Sequence, residues 1–99
     1  MANEYEELMK RAQGLQEKVA AAQDELSKMT LRGIASNGQV IVDMDGKYNL
    51  KNLTITPELL AEGAETLVAI VKSAFDDAKA KTDAAIDRVM TVATEGMPV

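Results

Sequence analysis

The 99-residue chain contains no cysteine and no histidine, and only three of its residues are aromatic. Without cysteine or histidine it has no disulfide bonds, no thiolate or imidazole chemistry, and none of the usual zinc sites. The scarcity of aromatic residues leaves Leu, Val, Ile, Met and Ala to build the core, which favours closely packed helices.

Long apolar segments are also missing from the sequence. No run of about 18 apolar residues occurs, so no membrane-spanning helix is predicted. The N-terminal segment MANEYEELMK is acidic and lacks the apolar stretch of a signal peptide. We therefore expect a soluble, cytoplasmic protein that does not bind membranes.

No group of residues resembles a catalytic centre. Ser27, Ser36 and Ser73 have no histidine base, and there is no glycine-rich phosphate loop. The carboxylate pairs of the C-terminal half alternate with lysines, as on a solvated helix face. We expect no enzymatic activity, no cofactor and no small-molecule substrate.

The segment DMDG has some features of a calcium-binding loop. In an EF-hand alignment Asp43 and Asp45 would be ligands, and Gly46 would form the sharp turn. The first ligand position and the bidentate glutamate position would then fall on Ile41 and Asn52, which do not suit calcium. The simpler interpretation is two acids on the outer face of a strand that leads into a hairpin turn, so no metal site is predicted.

Residues 1–29 have the repeat of a helix that packs along another helix. Apolar and small residues recur at alternating spacings of four and three, which is the pattern of a heptad seam. The seam consists of Met1, Tyr5, Leu8, Ala12, Leu15, Val19, Ala22, Leu26 and Met29.

Residues 30–56 change from helical to alternating periodicity. TLRGIAS predicts a first strand that ends at the turn SNG, and QVIVDMD predicts a second strand with its valines and Met44 on one face. The third strand, in KYNLKNLTI, changes phase between Leu50 and Leu53, which implies a β-bulge near Lys51–Asn52. The segment is predicted to be a three-stranded antiparallel meander.

Residues 57–95 are predicted to be a second long helix. Thr56 provides its N-cap and Pro57 its first helical position, whereas Gly96 and Pro98 end it. The short segment AEGAE is expected to disturb the first turns of this helix.

Together these segments predict one α+β domain over residues 1–99, with the element order α-β-β-β-α. At about 1.5 Å per residue the helices would be about 40 and 50 Å long, whereas a small three-stranded sheet is about 15 to 20 Å along its strands. Both helices must therefore extend past the sheet with their apolar stripes exposed, and such stripes require a partner. We expect the partner to be a second copy, which gives a symmetric homodimer.

Three segments in fixed order carry a family resemblance: GQVIVDMDGKYNLKNLTITPELL, then LVAIVKSAFDDAKAK, and finally MTVATEGMPV. They cover the chain from Gly38 to its C-terminus, and no single one of them is specific, whereas the ordered set is. The matching positions are Gly38, Val40, Val42, Gly46, Ile55, Pro57, Leu59, Leu60, Ala74, Ala78, Met90, Gly96, Met97 and Pro98. The set resembles the YbaB/EbfC family of bacterial nucleoid-associated proteins.

The resemblance implies a tweezer-shaped homodimer in which the sheet holds helical prongs at a fixed separation. It also implies a nucleoid protein that binds double-stranded DNA, coats or bends it, and influences gene expression. Further implied roles are nucleoid organisation and work with recombination and repair proteins. The location implied by the family is the nucleoid, within the cytoplasm.

The DNA contacts are a separate, electrostatic prediction, because the matching family positions are structural. The net charge is −5 per chain and about −10 per dimer, so DNA binding requires that basic groups be segregated. The candidates are Lys10, Arg11 and Lys18 on the first helix, and Lys79, Lys81 and Arg88 on the last. For each of them, surface solubility is the competing role.

The sequence contains no recognition helix that would read base edges, so DNA binding is predicted to be largely independent of sequence. The acidic charge favours an alternative function. In that alternative, the protein is a dimeric protein-binding adaptor or chaperone-like module that does not bind DNA.

Overall fold

A computed structural model describes residues 2–95, which form two long helices joined by a small sheet. Helix α1 spans Ala2–Lys28, and strands β1, β2 and β3 span Leu31–Ala35, Val40–Met44 and Leu50–Ile55. A short helix α2, Pro57–Leu60, precedes the long helix α3, Ala64–Ala93. The strands form an antiparallel sheet in the order β1-β2-β3, so the predicted α-β-β-β-α architecture is confirmed.

The inner face of the sheet packs against α3 and forms the main core. Along β2 the side chains of Val40, Val42 and Met44 are fully buried, as their alternation predicts. They pack against Leu59 of α2 and against two alanines of α3. Because alanine side chains are short, the helix can lie close to the strands.

Helix α3 passes directly over Gly33 in the middle of β1. A Cβ atom at this position would lie 2.0 Å from the backbone oxygen of Ala74 and 2.7 Å from the Cβ atom of Ala78. Gly33 is buried and lies on the same face as Val42, its partner on β2. Only glycine lets α3 cross β1 at this distance.

Strand β3 contains the predicted bulge. Met44 of β2 pairs with Leu50, while the residue before Met44 pairs with Asn52, which leaves Lys51 as the extra residue. The bulge places Leu50 on the same face of the sheet as Leu53, although the two residues have opposite phase in the sequence.

The second helix, predicted over residues 57–95, is interrupted near its start, as the segment AEGAE predicts. A turn after Leu60 separates α2 from α3, because Gly63 adopts a φ of +103° that a helix does not contain. Thr56 caps α2 as predicted, since its side-chain oxygen accepts a hydrogen bond from the backbone N–H of Leu59.

The long helices end near their predicted limits. Helix α1 ends at Lys28 and α3 ends at Ala93. The expected stop signals Gly96 and Pro98 lie outside the described residues, as does the seam residue Met1. Within residues 2–95, neither long helix has an apolar segment that could cross a lipid bilayer.

Beyond the sheet, α1 and the C-terminal half of α3 pack on each other and form a projection, here called the prong. Ala22 and Leu26 of α1 meet Val89 and Ala93 of α3 in a second buried cluster. Helix α1 leads into the sheet and α3 leads away from it, so the two helices run antiparallel. The molecule is correspondingly long and thin, at 72 × 20 × 17 Å.

The β2–β3 hairpin lies at the base of the prong, between the two helices. Gly46 at its tip donates a backbone hydrogen bond of 2.8 Å to the carbonyl oxygen of Leu26 in α1. A Cβ atom on Gly46 would lie 2.6 Å from that same oxygen, so a side chain has no space there. Tyr48 donates its hydroxyl hydrogen bond to Asp83 of α3. The hairpin therefore ties both helices to the sheet.

Both acids of the DMDG segment are buried, and the expectation of two acids on the outer face of a strand holds for Asp43 only, because β2 ends at Met44 and Asp45 lies in the turn. Asp43 does lie on the outer face of β2, but the guanidinium of Arg32 covers it, with nitrogen–oxygen distances of 2.9 and 3.2 Å. This hydrogen bonding lowers the pKa of Asp43. Asp45 accepts hydrogen bonds from the backbone N–H groups of Asn49 and Lys47, at 3.0 and 2.8 Å, and they lower its pKa.

Replacing Gly33 by alanine should separate β1 from α3 and destabilise the fold by about 1 to 3 kcal/mol, the range of overpacked cores. Gly14→Ala is the matched control, because a Cβ atom on this α1 residue meets nothing within 4 Å. The control should raise stability by up to about 1 kcal/mol through helix propensity. Urea unfolding measures both changes, and equal stability of the two variants would contradict the close-contact interpretation.

The lowered pKa of Asp45 predicts a specific loss of stability in acid. A carboxyl group with a lowered folded-state pKa stabilises the fold above its ordinary pKa of about 3.9, and this contribution disappears as the pH falls through the folded-state value. Asp45→Asn should therefore be less stable than the parent chain at pH 7 and should lose less stability below about pH 4. Urea unfolding from neutral to acid pH tests this, and parallel curves for the two proteins would argue against it.

Candidate nucleic-acid interface

The six basic residues predicted to contact DNA all lie exposed on the two long helices. They do not share one surface, because neighbouring residues of a helix are rotated by about 100° from each other. The structure divides them into a group of four and two separate residues.

Lys18 of α1 and Arg88 of α3 both line one groove of the prong. The groove has a volume of about 470 Å³ and lies where the two helices pack together. Its lining is mainly apolar and includes, besides the two cations, Ala21, Ala22, Glu25, Met29, Val89, Val92 and Ala93. Lys18 and Arg88 are distant in the sequence, and only the antiparallel pairing of the helices brings them together.

Helical spacing adds two further cations to this pair, on a face of α1 that also includes the acids Glu4 and Glu25. Arg11 precedes Lys18 by two helical turns, and Lys81 precedes Arg88 by two turns, so each lies on the same helix face as its neighbour. We call Arg11, Lys18, Arg88 and Lys81 the basic row. It follows one side of the prong from its base towards the N-terminal end of α1.

Lys81 is held in place at the base of the row by the edge of the sheet. Its ammonium donates a hydrogen bond of 2.7 Å to the carbonyl oxygen of Arg32 and lies 3.1 Å from the carboxylate of Asp77. Asp77 in turn accepts a hydrogen bond of 3.0 Å from the backbone N–H of Ile34, and these contacts lower the pKa of Asp77. The pair covers the outer edge of β1, so Lys81 has a structural role there.

The other three members of the row are free to bind an anion. Among residues 2–95, none of Arg11, Lys18 and Arg88 forms an ion pair with a carboxylate. The acids Asp76, Asp83 and Asp87 lie on other faces of α3, rotated by about 100° or more from Lys81 and Arg88. Charge is thus partly segregated on α3, where Asp77 is the acid on the side of Lys81. Glu25 of α1 is an acid within the groove itself.

Lys10 and Lys79 lie away from the basic row. Lys10 is adjacent to Arg11 and therefore points to a different face of α1. Lys79 is two residues from Lys81, which places it on the opposite flank of α3. It shares that flank with Lys72, seven residues earlier. The sequence spacing of seven residues is enough to predict which basic residues share a helix face. The groove could not be predicted in this way, because it forms only where α1 and α3 pack together.

The flank of α3 that carries Lys79 borders a second exposed surface, which is apolar. The other flank, with Asp77 and Lys81, faces β1. Phe75 and Val68 therefore lie on the side of α3 towards β3. Helix α3 packs chiefly over β1 and β2, and the inner face of β3 remains uncovered. We call this surface the open face; it comprises Leu50, Leu53, Leu60, Val68 and Phe75. Leu53 is 41% exposed and Val68 66% exposed in the single chain.

Comparison with known proteins identifies the class to which this fold belongs. The sequence model of the YbaB/EbfC DNA-binding family matches residues 1–97. The chain belongs to that family, as the motifs between Gly38 and the C-terminus predict.

Two relatives from bacteria are similar over most of their length. A nucleoid-associated protein of Bordetella avium is 37% identical over 92 residues, which cover 93% of this chain and 85% of the relative. A nucleoid-associated protein of Polynucleobacter asymbioticus is 39% identical with the same coverage.

The fold also matches a solved structure. A crystal structure of an uncharacterized protein from Helicobacter pylori superimposes with a TM-score of 0.72, over 92% of this chain and 94% of the other. At 20% sequence identity the likeness is one of fold.

Proposed function

We propose that this protein is a nucleoid-associated protein that binds double-stranded DNA as a homodimer, through phosphate contacts along the basic row. The observation that supports this most directly is that Lys18 and Arg88, from two different helices, line one groove on an otherwise acidic chain. Membership of the DNA-binding family and the names of the relatives support DNA as the ligand.

The chemistry of the row favours contact with the DNA backbone. Its free members are two arginines and one lysine on long helices, and guanidinium groups bind phosphate oxygens in a bidentate manner. The row follows the side of a helix pair, and it has no cluster of Arg, Asn and Gln that could read base edges. Binding is therefore largely independent of sequence.

Charge segregation makes this binding compatible with the acidic composition. The net charge of −5 weakens long-range attraction to DNA, but short-range phosphate contacts depend on the local potential along the row. The acids on α3 mostly face away from the row.

The open face gives the homodimer its surface. It is a set of exposed apolar side chains that a monomer would leave in water, on the uncovered strand β3, on α2 and on one flank of α3. A second copy can cover it with the same surface of its own, as a two-fold axis requires. The opposite sheet edge, on β1, is already covered by Asp77 and Lys81, so β3 is the side on which a partner fits.

A dimer built on the open face carries two prongs, as expected for a tweezer shape. It would act at the nucleoid in DNA organisation, gene regulation or recombination and repair, and without catalysis. The names of the relatives favour nucleoid organisation among these roles. The competing function is a protein-binding adaptor, which the acidity and the exposed apolar surfaces favour.

Lys18→Ala combined with Arg88→Ala should weaken binding to all duplex sequences alike. If about six phosphates are neutralised per dimer, the log–log slope of affinity against salt should be about −5, and the double variant should reduce it to about −2. Fluorescence anisotropy with two unrelated duplexes, at several salt concentrations, measures both quantities.

The matched control is Lys10→Ala combined with Lys28→Ala, which removes the same charge from another face of α1. Lys28 pairs with Asp24 there, at 2.9 Å. The control should keep most of the affinity and slope. If neither the parent chain nor the control binds duplex DNA at tens of micromolar dimer and about 50 mM salt, the adaptor function replaces this one.

Leu53→Asp should dissociate the homodimer and leave each chain folded, because Leu53 is partly exposed in the single chain and becomes buried only against a partner. Thr54→Asp is the matched control, since Thr54 is exposed on the outer face of the same strand and pairs with Ile41. Sedimentation at about 10 µM should give a monomer for the first variant and a dimer for the second. A dimer for both would exclude the open face as the interface.

A further inference from the structure

The seam of α1 is covered by α3 along only half of its length. Helix α3 ends at Ala93, which together with Val92 lines the groove beside Lys18. The N-terminal half of the seam lies beyond this point, and Tyr5 and Leu8 are 66% and 64% exposed. We call this half, Tyr5, Leu8, Ala12 and Leu15, the tip seam.

The tip seam is a direct continuation of an interface that the protein already uses. Its residues keep the spacing of four and three that places Ala22 and Leu26 against α3. A helix running antiparallel to α1 would therefore pack on the tip seam in the same way as α3 packs on the rest of α1. The helix that fits this position has small and apolar residues at heptad spacing, and the N-terminal half of α1 itself has that pattern.

We propose that the tip seam binds the tip seam of a second copy, with the two α1 helices antiparallel. The second α1 would then run parallel to α3 and occupy the seam where α3 ends. In this arrangement the positive N-terminal end of the second α1 points towards the negative C-terminal end of α3, which is a favourable alignment of helix dipoles.

One register satisfies both the apolar contacts and the charges. It places Tyr5 opposite Leu15 of the second copy and Leu8 opposite Ala12 of the second copy, so that heptad positions a and d alternate across the seam. On the flank of the seam, Glu4 then lies beside Lys18 of the second copy, and two-fold symmetry repeats this pair.

The remaining flank residue, Arg11, lies near the two-fold axis and faces Arg11 of the second copy. Glu7 precedes Arg11 by one helical turn on the same helix, in the favourable acid-first order, and offsets part of this repulsion. The charges therefore favour the antiparallel register through Glu4 and Lys18, while the apolar residues supply the contact area.

The tip contact uses a surface separate from the open face. If the homodimer forms through the open face, which rests on the proposed function, each dimer has two free tips. Both interfaces are two-fold symmetric, so tip contacts join the dimers further. Two tweezer-shaped dimers that meet with both tips close into a tetramer, whereas dimers that use their two tips on different neighbours form open chains.

Charge reversal tests the tip contact in the absence of DNA. Glu4→Lys and Lys18→Glu each turn the two attractive pairs into repulsive ones, so the association constant of the tips should fall about tenfold for each variant. A 1:1 mixture of the two variants restores both pairs and should recover association. Sedimentation at concentrations up to about 1 mM, where millimolar contacts are populated, measures the average mass.

Disulfide cross-linking tests the register of the two α1 helices directly. The chain has no native cysteine, so only the introduced cysteines can form a disulfide. In a mixture of Leu8→Cys and Ala12→Cys proteins, oxidation should form a disulfide between the two different chains. Lys10→Cys, on another face of α1, is the control and should cross-link much more slowly. If the chain's own residues 96–99 cover the tip seam instead, the mixture of Leu8→Cys and Ala12→Cys proteins will not cross-link faster than this control.

The tip contact and the homodimer can fail independently. In the Leu53→Asp background the tips should still associate, and Leu8→Glu should abolish that association. The proposal is overturned if Leu8→Glu leaves the average mass unchanged. It is also overturned if the charge variants associate like the parent chain, or if their mixture fails to recover.

Discussion

The contact between Gly33 and α3 determines how much of the sheet the helix can cover. Because the backbone of Ala74 lies directly against the strand, α3 crosses β1 at the closest possible distance and cannot shift towards β3 without losing that contact. One flank of α3 therefore stays at the edge of β1, where Asp77 and Lys81 pair with its backbone. The inner face of β3 is left uncovered as a consequence, and this creates the open face.

The C-terminal half of α3 extends past the sheet, where it pairs with α1. The hairpin between β2 and β3 fixes the angle of that pairing, since Gly46 contacts α1 and Tyr48 contacts α3. The groove that Lys18 and Arg88 line thus depends on hairpin contacts at the base of the prong. Under the proposed function, a chain of net charge −5 binds DNA through this local placement of a few cations and not through its total charge.

Much of the fold could be predicted because it follows from local periodicity. The buried face of β2, the bulge at Lys51 and the seam of α1 all have clear patterns in the sequence. The break at Gly63 was predicted from the segment AEGAE, because glycine disfavours a helix. The burial of Asp43 was harder to predict, because it depends on a cross-strand arginine. The division of the basic residues could be predicted in part, since spacing separates Lys79 from Lys81, but only tertiary pairing places α1 beside α3.

The N-terminal half of α1 extends a helix whose other half packs on α3, so its backbone adds turns to an existing helix, whereas its apolar seam stays exposed in the single chain. The proposed contacts with a second tip and with a DNA backbone both use this half of the helix. Lys18 belongs to both of these proposed contacts, because the same ammonium would pair with a phosphate or with Glu4 of a second copy. The two contacts are consequently linked, and by reciprocity each changes the affinity of the other by the same factor.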